Sequence, residues 1–207
     1  MRTVRFSYAE NMQGWQYRAQ GLVRWIWRAV LGIIQRLDQP VEGVLVFAKT
    51  QKAAAALNRQ HQNGKMKKYY LAAFTGKPES MSGTWEDFLL KDSRTNTSKV
   101  VREGMGQSKR AVLHYRVLGW QADVGLAEVL LETGRHHQIR VQMAHHGMPL
   151  WGDGKYNPHG KPEEKGEMVG LCAFCLEFEH PETGKKLQFK IEPEGSIFKK
   201  LSAYLEP

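Results

Sequence analysis

Cysteine is scarce, and Cys172 and Cys175 are the two in 207 residues. A disulfide framework needs more, so a reducing, cytoplasmic setting is expected. As Cys-Ala-Phe-Cys the pair could be half of a zinc site or a redox couple. No second pair exists, and residues 169–179 read as a strand, which favours a buried structural pair. Long hydrophobic runs are also missing. The most apolar early stretch, residues 21–34, is interrupted by Arg24 and Arg28, is too short to span a bilayer, and shows no signal-peptide cleavage pattern. The two arginines are four apart and share a helix face, which leaves a half-buried helix, a poorly formed segment or a membrane-surface helix open. There is no Gly-rich phosphate loop of either common type, which argues against a doubly wound nucleotide-binding fold. A Gly-x-Ser-x-Gly elbow is absent, as are internal repeats and low-complexity tracts. The histidines at 136, 137, 145 and 146 lack the i, i+4 spacing of a helical zinc pair, so no metal is expected.

What is present in excess is positive charge. Lysine and arginine number 30 against 21 acidic residues, a formal charge of +9. Each phosphate contact by a basic side chain releases a counterion, so this balance suits a polyanionic partner, although an ordinary basic protein would show it too.

Turn residues divide the chain into short elements. After Gly43, "VLVFA" is a continuous apolar run suited to a buried strand. Thr50 can cap a helix through "QKAAAALNRQHQN", stopped at Gly64. "MKKYYLAAFTG" reads as a strand. Residues 77–108 read as irregular and polar, with short strands near "TWEDFLL" and "TSKVV", a mobile insertion. "AVLHYRVLGW" and "VGLAEVLLET" form a hairpin about residues 121–123. A short helix runs from about His136 to His146, followed by a loop, "LWGDGKYN". Two strands flank a Pro-Glu-Thr-Gly turn, and "SIFKKLSAYL" closes the chain as an amphipathic helix. Strands joined by short turns imply an α+β domain, a mostly antiparallel mixed sheet with a few flanking helices.

Three polar clusters stand out: Arg36 with Asp38 before the first core strand, "KMKKYY" at 65–70, and "ETGRHHQIRVQMAHHG" at 132–147, where Arg135, His137, Gln138 and Arg140 crowd a helix start. A carboxylate beside an arginine is held ionised and can serve as nucleophile or base. A tyrosine ending a lysine-rich run offers a face for a flat base while lysines take phosphates. A structural salt bridge, a core tyrosine and a solvated basic face would give the same pattern.

These clusters resemble the signatures of the RluA-type (RluA/RluC/RluD) RNA pseudouridine synthases. "RLDQPVEGVLVFAKT" is similar to their Arg-Leu-Asp segment, "KKYYLAAFTG" to the strand bearing the active-site tyrosine, and "ETGRHHQIRVQMAHHGMPLWGDGKY" to Gly-Arg-x-His-Gln-Ile-Arg with its Gly-Asp-x-x-Tyr continuation. The closing "HPETGKKLQFKIEP" also matches, and the likeness runs from about residue 35 onward. The resemblance implies isomerisation of uridine to pseudouridine within structured RNA, ribosomal RNA before transfer RNA, by a monomer with no cofactor, no metal and no membrane. It implies that Asp38 is the catalytic aspartate, that Arg140 is its ion-pair partner, and that Tyr70 stacks on the target uracil. By the same likeness Arg36 fills the gap left by a flipped nucleotide. Lys65, Lys67, Lys68, Arg135, His137 and Gln138 are the further candidate RNA contacts.

Departures exist. Gln35 precedes the Arg-Leu-Asp where histidine is usual, and Gln142 and Cys172 also replace common histidines. Residues 1–34 show no opening strand or Asn-Lys-Pro-x-Gly turn. The expectation is an atypical or truncated segment, 1–34, with sheet strands missing, before a catalytic domain at 35–207. The alternatives to an enzyme are a catalytically impaired RNA-binding protein of the same family and a membrane-surface protein acting through residues 15–34.

Overall fold

The computed structural model describes residues 32–38, 41–157 and 168–205, together with the backbone of residues 3–6. The chain divides into two compact units, Met1–Lys68 with Ala173–Pro193, and Tyr69–Cys172 with Glu194–Pro207.

The first unit is built around β3 (Glu42–Ala48), whose continuous apolar run is buried nearly throughout. β1 (Thr3–Phe6) pairs with it antiparallel from Thr3↔Val46 to Phe6↔Gly43. β2 (Gly32–Ile33) pairs with its end through Gly32↔Ala48. The described residues within 1–34 therefore include two short strands, which the sequence pattern did not reveal because two to four residues are too few to show alternation. The apolar helix read over residues 21–34 lies almost wholly outside the described residues. β9 (Leu171–Glu179) neighbours β3, and β10 (Lys186–Lys190) pairs antiparallel with β9.

α1 (Gln51–Gln62) starts as its sequence dictates. The Thr50 side chain accepts from the Ala53 N–H at 3.1 Å, Asn63 caps the end, and Gly64 turns the chain at φ 68°. Leu57, with Ala53 and Ala54 beside it, packs into a core of Ile34, Val44, Val46, Ala48, Met66, Leu176 and Phe178. Gln60 then mimics a strand partner. Its Nε2 donates to the Glu179 carbonyl at 2.8 Å and its Oε1 accepts from the Glu179 N–H at 2.8 Å.

The second unit carries the strand order β4-β8-β7-β5-β6, formed by β4 (Lys67–Thr75), β5 (Ser82–Asp92), β6 (Thr97–Val101), β7 (Lys109–Gln121) and β8 (Val124–Leu131). The pairings of β5 with β6, β5 with β7, and β7 with β8 are all antiparallel. Ala122 and Asp123, at φ 48° and 63°, make the two-residue left-handed turn that matches strand twist. The unit adds α2 (Gln138–His145) and α3 (Ser196–Lys200).

Two expectations change here. Residues 82–101 form a regular hairpin of eleven and five residues rather than an irregular insertion. The first half of β5 is largely exposed, so the apolar alternation that marks a half-buried strand is weak there. The Asp92 side chain closes the turn by accepting from the Arg94 and Thr95 N–H groups. The closing helix is also shorter than its amphipathic pattern suggests. It stops at Lys200 and tightens into a 3-10 turn, Ser202–Tyr204, which sets the Tyr204 ring against Gly119. The architecture is α+β, a mostly antiparallel sheet with a few helices. Among the described residues no helix is long and apolar enough to cross a membrane.

Gly43 marks the tightest point of the first unit. A Cβ there would meet the Ala173 Cβ, and it would lie 2.7 Å from the Ala173 N and O. Gly43→Ala should therefore lower stability by about 1–3 kcal/mol through overpacking and through its φ of 153°, which side chains rarely adopt, read as a urea midpoint. Adding Ala173→Gly should recover part of the loss, because the backbone clash persists; complete recovery or none would refute this account.

Candidate active site

In the first unit, Ile34 is buried and anchors an extended run to Asp38. Arg36 is exposed, Asp38 is half-buried, and the Asp38 carbonyl accepts from the Val41 N–H at 2.9 Å, closing the turn into β3. Lys65 and Lys67 are exposed. Lys68 is not. It is 7% exposed, and burial pushes its ammonium down to about 8. Burial also lowers His61, helped by the neighbouring Lys68 charge. Tyr70, 8% exposed, lies two residues further along β4, so the two side chains point to the same face of that strand.

The second unit holds the densest polar arrangement. Arg140, on the first turn of α2, donates Nε to Asp153 Oδ2 at 2.7 Å and Nη2 to Oδ1 at 2.6 Å. Side-chain exposure is 4% for Arg140 and zero for Asp153. The pair is thus buried and locked in a planar fork. Asp153 Oδ1 also accepts from the Lys155 and Tyr156 N–H groups, so the carboxylate shapes the loop that carries it. The Arg140 guanidinium lies 5.2 Å from the Tyr156 ring centroid.

Tyr156 passes this order on. Its hydroxyl accepts from the Ser98 N–H at 2.8 Å and is hydrogen-bonded to His137 Nδ1 at 2.7 Å. Burial, then the Arg140, His136 and Lys155 charges, hold His137 down at about 3. His137 sits in the left-handed region at φ 53°, stacked on His136 at 3.8 Å, a strained conformation that neighbours must enforce.

Gln138, a candidate RNA contact, is buried. Its Oε1 accepts from Thr133 Oγ1 and the Arg135 N–H, and its Nε2 donates to the Val112 carbonyl. Arg135 is exposed, with Nε donating to the Arg110 carbonyl at 2.8 Å. The structure thus brings Arg140 and His137 together around Asp153 and Tyr156. Asp38 and Arg36 belong to the first unit, and Tyr70 and Arg140 to the second. Asp153 and Tyr156 were not among the candidates. Their signal was the Gly-Asp-x-x-Tyr run, noted as part of the resemblance but given no role, since its segment read as a loop.

The family model described as RNA pseudouridylate synthase matches residues 28–145. The chain belongs to that family. A Bacillus subtilis protein named as an uncharacterized RNA pseudouridine synthase, YlyB, is 38% identical over 77% of this chain and 51% of its own length. The Zymomonas mobilis ribosomal large subunit pseudouridine synthase D is 36% identical over 78% of this chain and 52% of its own. The chain spans about half the length of these curated relatives. Among solved structures, human RNA pseudouridylate synthase domain containing 4 superposes with a TM-score of 0.74 at 18% identity. That match covers 98% of this chain and 88% of the other, a likeness of fold.

Asp153→Asn should destabilise the protein by about 3–5 kcal/mol in urea unfolding, because it removes the carboxylate charge that forks the buried Arg140 guanidinium. Arg140→Met combined with Asp153→Leu should lose less than the two single losses summed; simple additivity would dissolve the pair as a unit. His137 makes a second prediction. Its folded value lies below the unfolded 6.5, so the unfolded chain binds more protons between about pH 3 and 6.5. Its contribution is full above 6.5 and falls with pH at about 1.4 kcal/mol per unit below it. His137→Gln should flatten the pH slope of the urea midpoint between pH 6.5 and 4, and an unchanged slope would sink the assignment.

Proposed function

We propose that this protein isomerises uridine to pseudouridine in structured RNA, as a cytoplasmic, monomeric enzyme whose machinery is Asp38, Tyr70 and Arg140. The observation that carries the reading is the single family match over residues 28–145, which takes in all three in order. The +9 charge supports it by supplying sequence-independent attraction to an RNA backbone. Ribosomal RNA is favoured over transfer RNA because relatives at 36–37% identity are named for the large ribosomal subunit.

The reaction is balanced without an added reactant. The N1–C1′ bond breaks, the uracil turns, a C1′–C5 bond forms, and the proton on C5 moves to N1 through solvent. The Asp38 carboxylate acts on the sugar or the base while that bond is open. Tyr70 offers its ring to the uracil. Arg36, exposed beside Asp38, is suited to occupy the space a flipped nucleotide vacates. Lys65, Lys67 and Arg135 are exposed and suited to phosphate. Lys68, His137 and Gln138 are buried, and in this reading they position neighbours rather than bind RNA from the surface.

The test is tritium release from C5-tritiated uridine in unmodified cellular RNA. The parent should release tritium, and Asp38→Asn should slow release by about 100-fold or more, the scale of a lost acid–base or nucleophilic group. Equal release from both would remove Asp38 from the chemistry. No release from either, with RNA still bound, would favour the impaired RNA-binding protein instead.

A further inference from the structure

Away from the candidate active site, three donor groups converge at the C-terminal end of α2. His145 is the last residue of the helix and His146 its C-cap. Asp87 reaches them from β5. One donor atom from each lies within 4.8 Å of the other two. His146 Nε2 and Asp87 Oδ2 are 3.1 Å apart. Two ligands of a tetrahedral Zn²⁺, each bonded at about 2.0–2.2 Å, stand roughly 3.3 Å apart. That pair is therefore already at chelating separation. His145 is exposed and needs only a change of rotamer to close the third side.

The surroundings hold two of the donors in place. Gln142, 0% exposed, donates Nε2 to the same Asp87 Oδ2 at 2.8 Å, orienting the carboxylate as outer-shell amides do around metal ligands. Trp85 stacks on the His146 ring at 4.4 Å and 7°, and its other contact is the Tyr115 ring at 4.2 Å. The last carbonyls of α2 add negative potential where a cation would sit. A His146–Asp87 hydrogen bond would explain two of the three groups. It would not explain why a donor atom of His145, whose ring is edge-on to His146 at 5.0 Å, lies within 4.8 Å of both.

We infer that Asp87, His145 and His146 form a binding site for one divalent cation of the zinc type, with water completing the coordination. Two imidazoles and one carboxylate suit Zn²⁺ better than the all-oxygen cations Mg²⁺ and Ca²⁺. The bound ion ties β5 to the end of α2 within the second unit. Sequence spacing hides the site, because the histidines are adjacent rather than four apart and the aspartate lies 59 residues from His146.

The full chain, stripped with chelator, would be titrated with ZnCl₂ at pH 7.5 by calorimetry and native mass spectrometry. Co²⁺ absorption would report the geometry. The expected result is one ion per chain, a melting temperature that rises with Zn²⁺, and at least tenfold weaker binding in His145→Ala and in Asp87→Asn. His180→Ala, a histidine outside the cluster, should bind as the parent does. His145 is exposed, so its variant tests the ligand without endangering the fold. No retained ion, or equal affinity in His145→Ala and parent, would overturn the site. The readout is metal uptake, so it stands apart from any result on RNA.

Discussion

The second unit depends on one ion pair out of water. Arg140 cannot lose its proton, and it sits almost wholly inside the protein, so something must hold its charge there. Asp153 does so through a two-bond fork and meanwhile accepts from the backbone of the loop that delivers it. Without the fork, the Arg140 guanidinium would lose its two-bond acceptor and residues 153–157 would lose the carboxylate that organises them. With it, Tyr156 is set to bridge Ser98 on β6 and His137 at the start of α2. A buried pair of this kind is weak evidence of net stability, but it specifies one arrangement strongly.

The same logic recurs in neutral form. Gln138 bonds to Thr133, Arg135 and Val112, fixing how the chain enters α2. Gln60 does the equivalent for α1 against β9. In both cases a side-chain amide replaces a strand edge where a helix meets a sheet, and buried backbone groups stay paired. His137 completes the pattern by staying neutral. Cations surround it, and a second positive charge there would work against the guanidinium that the fork has just secured.

Several elements were legible because their signals are local. The alanine-rich α1 with its Thr50 cap, the apolar β3 and the β7–β8 hairpin each follow from neighbours in the chain. The short strand read near "TSKVV" is β6, but β5 is longer than was read, because a strand with an exposed half carries little hydrophobic periodicity. The end of the closing helix was missed because contact with Gly119, far away in sequence, decides it. The candidate residues divided the same way. Asp38, Tyr70 and Arg140 were proposed from motifs. The burial of Lys68 and Gln138 was not, since their polar chemistry reads as surface until a sheet covers them.

By itself, the sequence determined the class of fold, the basic charge and the order of the motifs, all properties of composition and of residues close along the chain. Tertiary structure alone decided that Arg140 is clasped by Asp153, that His137 faces Tyr156 rather than solvent, and that Asp87 meets a pair of adjacent histidines. Each of those depends on the closing of a long loop. Which partners such a closure brings into contact is set by the packing of whole strands and helices, and no spacing rule along the chain records it.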